Sequence, residues 1–239
     1  MYNATISADI IASSSLNGEE IDLLTKRIYW LFEQINNNQQ KSGKDKVFCR
    51  LVSGDLIECL ITDPRDAFRI ALIIKNGIKS FPYNKGNKKI NSNKYRKLFQ
   101  NYGVRVAIGI GEMNMELLNK NILNGDAISR SGRLISEQKT SNKERIVIKK
   151  TLFFDSPIIA QAELFSVIIS LLDSLLNKMT TKQSTIILFK LLGYSEAGIA
   201  QLLEITQSAV NQQSKAAEWN SIEKAIQYYS CFNFSNTKS

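Results

Sequence analysis

The chain has 239 residues, 44% hydrophobic and 22% charged with only three prolines, a composition that fits an ordered globular protein and excludes a disordered one. Its formal net charge is +9 and it contains no histidine. Histidine acid–base catalysis, the usual serine and cysteine triads and most zinc chemistry are thereby removed, so an enzyme here would work with carboxylates, lysines and a metal.

Taken in order, residues 4–12 (Ala-Thr-Ile-Ser-Ala-Asp-Ile-Ile-Ala) read as a buried strand interrupted by Asp9. No basic region precedes that stretch, so it is not expected to be a signal peptide. Asn17-Gly18-Glu19-Glu20 opens a helix to about residue 34, with Ile21, Leu24, Ile28, Leu31, Phe32 and Ile35 on one face. Residues 47–61 form a hairpin turning at Gly54-Asp55, and Thr62-Asp63-Pro64 caps a second helix from 65 to about 79. Residues 83–93 read as a polar, lysine-rich loop. Residues 104–111 are a central strand ending in glycines that let something approach the backbone. A helix is expected over 126–138 and a fifth strand over 145–148.

Beyond 150 the pattern is all helical. A helix from Ser156-Pro157 to about Met179 is apolar on nearly every side, which places it between domains or in a dimer interface. Shorter helices follow over 181–192, 195–205, 207–219 and 221–229. No apolar run approaches the roughly 20 residues of a membrane span, so no membrane is expected as a partner. Cys49, Cys59 and Cys231 fit no metal spacing; Cys49 and Cys59 share the hairpin and are expected to stay thiols in a cytoplasmic protein.

Charge is unevenly spread. Residues 1–150 carry 25 Lys+Arg against 15 Asp+Glu, and residues 151–239 carry 6 against 7. Between Asp66 and Glu112 there is no acidic residue but ten basic ones, with Tyr83, Tyr95 and Phe99 among them. Such a field suits a polyanion, although a solvated lysine-rich loop gives the same pattern.

Two constellations carry chemistry. Asp9 in an apolar strand and Asp55 at the hairpin turn, if side by side in a sheet, make a hard-cation site for Mg²⁺ holding a phosphate chain. Gly-Asp also occurs in hairpins for turn geometry alone. In the second half, Ile199, Ala200 and Leu203 face inward, Thr206 caps the next helix, and Ala200 and Val210 stand ten apart, as a helix crossing requires. The outer face then presents Gln207, Ser208, Asn211, Gln212 and Lys215, whose amides suit adenine edges. This segment resembles the helix-turn-helix of sigma factors and response regulators; a helical bundle for dimerisation is the alternative.

The ordered series of Asp9, Ser53-Gly54-Asp55, residues 104–112 and Gly125 to Leu134 resembles the SatD family, whose members carry a cyclase-like palm followed by a helix-turn-helix. It is more remotely similar to class III nucleotidyl cyclases and the diguanylate cyclase palm. The element order and the resemblance both point to an α+β architecture, a ferredoxin-like palm over 1–150, a connecting helix over 151–180 and an all-α helix-turn-helix domain over 181–239. By that resemblance Asp9 and Asp55 hold metal, Asp9, Gly54, Asp55, Ser129 and Arg133 bind nucleotide, and Arg133 steadies the transition state. Ser129 stands where cyclases carry asparagine, and Leu51 falls near the base-selecting position. The expected function is a cytoplasmic, homodimeric, ligand-responsive DNA-binding regulator. The rival is a metal-dependent nucleotidyl cyclase or oligonucleotide synthase whose helical half contacts proteins; a palm that only binds RNA through its basic stretch is a third reading.

Overall fold

A computed structural model of the chain describes residues 2–82, 94–138 and 148–234. It opens on β1 (Asn3–Ile10) and α1 (Gly18–Lys41), followed by the hairpin of β2 (Phe48–Val52) and β3 (Leu56–Ile61). Next come α2 (Ala67–Lys79), α3 (Lys94–Tyr102), β4 (Val104–Gly111), α4 (Asp126–Ser136) and β5 (Leu152–Asp155). The rest is helical: α5 (Ile159–Lys178), α6 (Thr181–Leu191), α7 (Glu196–Leu203), α8 (Gln207–Ala216) and α9 (Trp219–Ser230). The strands form one sheet in the order β2-β3-β1-β4-β5, antiparallel throughout except for the β4–β5 pair. The chain is therefore a mixed α+β protein with a helical C-terminal region.

Alternation along β1 sends Ala4, Ile6, Ala8 and Ile10 into the main core, and Thr5 and Ser7 to the other face. That other face is covered by α4. The Ser131 hydroxyl lies 2.9 Å from those of both Thr5 and Ser7. Gly109 and Gly111 make this packing possible: a Cβ at Gly109 would stand 2.3 Å from the Ala127 carbonyl oxygen, and one at Gly111 2.5 Å from Asp126 Oδ2. What the strand's glycines admit is thus a helix of the same chain.

α1 starts in a reciprocal cap, Asn17 Oδ1 accepting from the Glu20 amide at 2.9 Å and Glu20 Oε2 from the Asn17 amide at 3.0 Å. It runs to Lys41, past the expected end, because the polar last turns still bury Gln39. Ile21, expected inward, lies on the solvent side. α2 is buried on nearly all sides, lying between the sheet, α1 and α6. α3 is an element the lysine-rich sequence did not announce.

The expected fifth strand falls mostly on residues 145–147, outside the described residues, as does the expected loop over 83–93; Ile148 is in no strand. The edge position beside β4 is taken by Leu152–Asp155, a strand not expected from the sequence. There Leu152 and Phe154 enter the main core, and Phe153 joins Ala107 and Ile135 under α4. Burial on both faces suits this segment to an edge beside a parallel neighbour.

α5 begins two residues after Pro157 and buries only one side, Phe165, Ile169, Leu172, Asp173 and Leu176 among them. Its opposite side is exposed in the single chain, so packing within the chain does not bury it all round. With 20 residues it is also long and apolar enough to cross a membrane, a length the sequence reading did not credit. Phe165 sits in an aromatic nest with Phe154 at 5.2 Å, Tyr229 at 4.8 Å and Phe232 at 4.9 Å between ring centroids, tying β5, α5 and α9 together.

Most of the described part of the basic stretch between Asp66 and Glu112 faces inward. Arg69 donates to the Leu191 carbonyl, Arg96 pairs with Glu20, and Arg105 pairs with Asp9. Lys75, fully buried, donates to the carbonyls of Tyr102 and Val104 at 3.0 Å each and to Thr151 Oγ1 at 2.5 Å. Lys79 donates to the Leu176 and Asn177 carbonyls at 2.6 and 2.9 Å, capping the end of α5. Burial lowers Lys75 to about 7 and Lys79 to about 8, against the pull of Asp173. Of the ten basic residues only Lys94 and Lys97 are exposed among those described, so the polyanion field is not formed by this stretch's described part.

Candidate functional site

The helix-turn-helix is built by caps. Ser195 Oγ accepts from the Gly198 amide at 3.1 Å and starts α7; Thr206 Oγ1 accepts from the Ala209 amide at 3.1 Å and starts α8. Between them Glu204 adopts a left-handed conformation, φ 54°, and the Ile205 amide closes on the Ala200 carbonyl at 3.0 Å. This is the position where such turns favour glycine, and glutamate bears the strain there. Ile199 and Val210 are fully buried and Ala200 nearly so, which sets the crossing of α7 and α8.

Of the residues expected to face DNA, Gln207, Ser208, Gln212 and Lys215 are exposed on α8. Ser208, Gln212 and Lys215 lie on the side away from buried Val210 and Ser214. Asn211 is half-buried, and its Nδ2 donates to Glu196 Oε2 at 3.3 Å. Glu196 also accepts from Lys190 Nζ at 2.8 Å. Lys190, held 5.3 Å from the Trp219 ring centroid, keeps the Glu196 carboxyl below its ordinary range, with Asn211 adding to the effect. The chain Lys190–Glu196–Asn211 thus fixes α6, α7 and α8 against one another. This role of Asn211 was invisible in the sequence, where it is one more amide on an amide-rich helix.

At the sheet, Asp9 pairs across β1 with Leu56 and Arg105, and the Ile10 amide donates to the Asp55 carbonyl at 3.0 Å. Asp9 and Asp55 therefore sit at the same end of neighbouring strands. The hairpin turns through left-handed Ser53 and Gly54, at φ 53° and 81°. Asp9 Oδ2 accepts from buried Arg105 Nη1 at 2.8 Å, and Asp55 Oδ2 accepts from Ser13 Oγ at 3.2 Å. Carboxylate oxygens suit a hard cation, but a guanidinium already neutralises Asp9. Among the described residues no group of three or more Asp, Glu, Cys or His could hold a metal ion.

Arg133 and Ser129 are elsewhere. Arg133 Nη2 and Arg130 Nη1 both donate to Asp155 Oδ2, at 3.1 and 2.9 Å. Asp155 stands level with Gly109 and hence with Thr5, four residues along β1 from Asp9, about 13 Å at strand spacing. Ser129 Oγ bonds back to the Gly125 carbonyl at 2.9 Å. Within one chain the backbones of Asp9 and Asp55 meet at one end of the sheet, their carboxylates bonded to Arg105 and Ser13, while Arg133 and Ser129 are bonded to Asp155 and Gly125. Leu51 is half-buried against the core. Cys49 and Cys59 face one another in the hairpin as free thiols, and burial pushes Cys59 well above the ordinary thiol range.

Comparison with known families bears on the helical half. Residues 169–217 match the family described as Sigma-70, region 4, from the middle of α5 to the end of α8. The chain carries a helix-turn-helix domain of the DNA-binding class there. No curated protein and no solved structure matches the chain.

Proposed function

We propose that the protein is a ligand-responsive DNA-binding regulator of the cytoplasm, with α8 as the helix that enters the major groove. The observation that carries this reading is the capped α7–turn–α8 unit inside the segment matching sigma-70 region 4. Gln207 and Gln212 supply amides for base edges, Ser208 and Lys215 reach phosphates, and Asn211 holds the helix through Glu196. Lys178, Lys182, Lys190 and Lys215 against Asp173, Glu196 and Glu204 leave this segment with little net charge. Affinity then leans on few phosphate contacts, and salt dependence is expected to be shallow.

The ligand would bind the sheet. The order β2-β3-β1-β4 with antiparallel neighbours supports a ferredoxin-like palm of the SatD kind, and the shared position of Asp9 and Asp55 supports a nucleotide with Mg²⁺ as the ligand class. Separation of Arg133 and Ser129 from the two aspartates favours binding over turnover by a single chain. The alternative, a nucleotidyl cyclase or oligonucleotide synthase, would need that arginine from another subunit and would lose product formation in Asp9→Ala and Asp55→Ala.

The test is fluorescence anisotropy with genomic fragments at modest salt. A preferred fragment is expected, and Lys215→Ala should weaken binding to all sequences alike and lower the salt slope by about 1. Absence of any preferred fragment would end the regulator reading. A thermal-shift screen of nucleotides with Mg²⁺ tests the ligand: selective binding to the native state must raise the melting temperature, and Asp55→Asn must abolish the rise.

A further inference from the structure

Among the described residues, α5 leaves one face uncovered. Opposite its buried side it carries Ala160, Leu164, Val167, Leu171, Ser174 and Lys178, alternately four and three residues apart. Val167 is 62% exposed and Leu171 68%. Such spacing is the heptad seam by which helices pair, and a surface stripe apolar from Ala160 to Leu171 marks a contact.

The ends of the stripe say what the partner is. Glu163 near the N-terminus and Lys178 at the C-terminus are both exposed, and neither joins an ion pair among the described residues. A parallel pair of such helices would set like charges side by side. An antiparallel pair sets Glu163 against Lys178 of the partner subunit at both ends. That register puts the two-fold axis between Ser170 and Leu171, where the two Leu171 side chains meet, and sets each Val167 against the small Ser174 of the partner subunit.

We propose that the protein forms a two-fold dimer through antiparallel pairing of α5 with α5 of a second copy. The stripe is self-complementary in shape and charge, as a two-fold interface requires. A helix pair about 30 Å long is small among stable interfaces, so the dimer is expected to dissociate reversibly, with a constant on the order of micromolar. The pairing is independent of DNA binding, although the second half of α5 belongs to the segment matching sigma-70 region 4, so that each dimer would carry two helix-turn-helix units.

Sedimentation velocity of the full chain over about 1–100 µM tests it. A monomer–dimer equilibrium is expected. Leu171→Glu should raise the dissociation constant at least about hundredfold with an unchanged circular dichroism spectrum, since the side chain is exposed in the monomer. Glu163→Lys and Lys178→Glu should each weaken the dimer about tenfold, and the double variant should restore it. Lys215→Ala should leave it unchanged, which separates this test from that of DNA binding. A chain that stays monomeric, a dimer indifferent to Leu171→Glu, or a double variant without rescue overturns the proposal. So does a monomer that pellets with phosphatidylcholine vesicles, which would assign the stripe to lipid.

Discussion

Lys75 makes stability depend on pH in a direction opposite to that of a surface lysine. Its ammonium lies wholly inside, on two carbonyls and the Thr151 hydroxyl, and that hydroxyl donates on to Asp173 Oδ1 at 2.5 Å. Burial takes its pKa from 10.5 to about 7 in the folded state. Between those values the unfolded chain binds the proton and the folded chain releases it, so stability must rise with pH; below 7 both states are charged and the contribution is flat. The penalty is about 4 kcal/mol at pH 7 and about 2 kcal/mol at pH 9, a gain of about 2 kcal/mol across that window. Lys79, at about 8, adds in the same direction. Above pH 9 buried Cys59 and Tyr229, both raised, pull the other way, which confines the useful range to pH 7–9. Urea unfolding followed by circular dichroism at pH 7, 8 and 9 measures the slope, and Lys75→Met should flatten it by Lys75's share. A wild-type stability that falls or stays level over this range, or a Lys75→Met slope equal to the wild type's, would refute the reasoning.

Tyr229 has a fully buried hydroxyl without a hydrogen-bond partner among the described residues, so Tyr229→Phe should stabilise the protein by about 1 kcal/mol in the same urea assay. Gly109→Ala should destabilise by about 1–3 kcal/mol, because its Cβ meets the backbone of α4 at Ala127 and Ser131, neither of which can yield without moving the helix. Gly132→Ala, with nothing within 4 Å of its Cβ, should instead stabilise the protein by up to about 1 kcal/mol of helix propensity, read as a raised melting temperature.

Where a signal is local, the sequence carried the fold. The Asn17/Glu20 cap, the Gly54-Asp55 turn and the Ser195 and Thr206 caps each depend on a few neighbouring residues, and each element starts where they place it. What depends on distant partners was not legible. Leu152-Phe-Phe carries no stronger strand signal than its neighbours by propensity, and only the contacts of Phe153 and Phe154 on two faces mark it as β5. Lys75, Lys79, Arg96 and Arg105 look like solvated charge until acceptors from α5, Thr151, Glu20 and Asp9 close on them. The candidate sheet site divides in the same way: strand register sets Asp9 beside Asp55, whereas Arg133 follows Asp155, a partner 22 residues later. Of the residues expected to face DNA, exposure of Gln207, Ser208, Gln212 and Lys215 followed from helical periodicity, and the diversion of Asn211 to Glu196 did not.

One continuous core runs from β1 through α2 to α6, α8 and α9, and Lys79 fastens the last turn of α5 from the sheet side. A molecule welded in this manner has no elbow. Occupancy of the sheet by a ligand could not swing α8 as a separate body; it would have to register as small repacking along α2 and α5, or as a change in how strongly two copies hold each other.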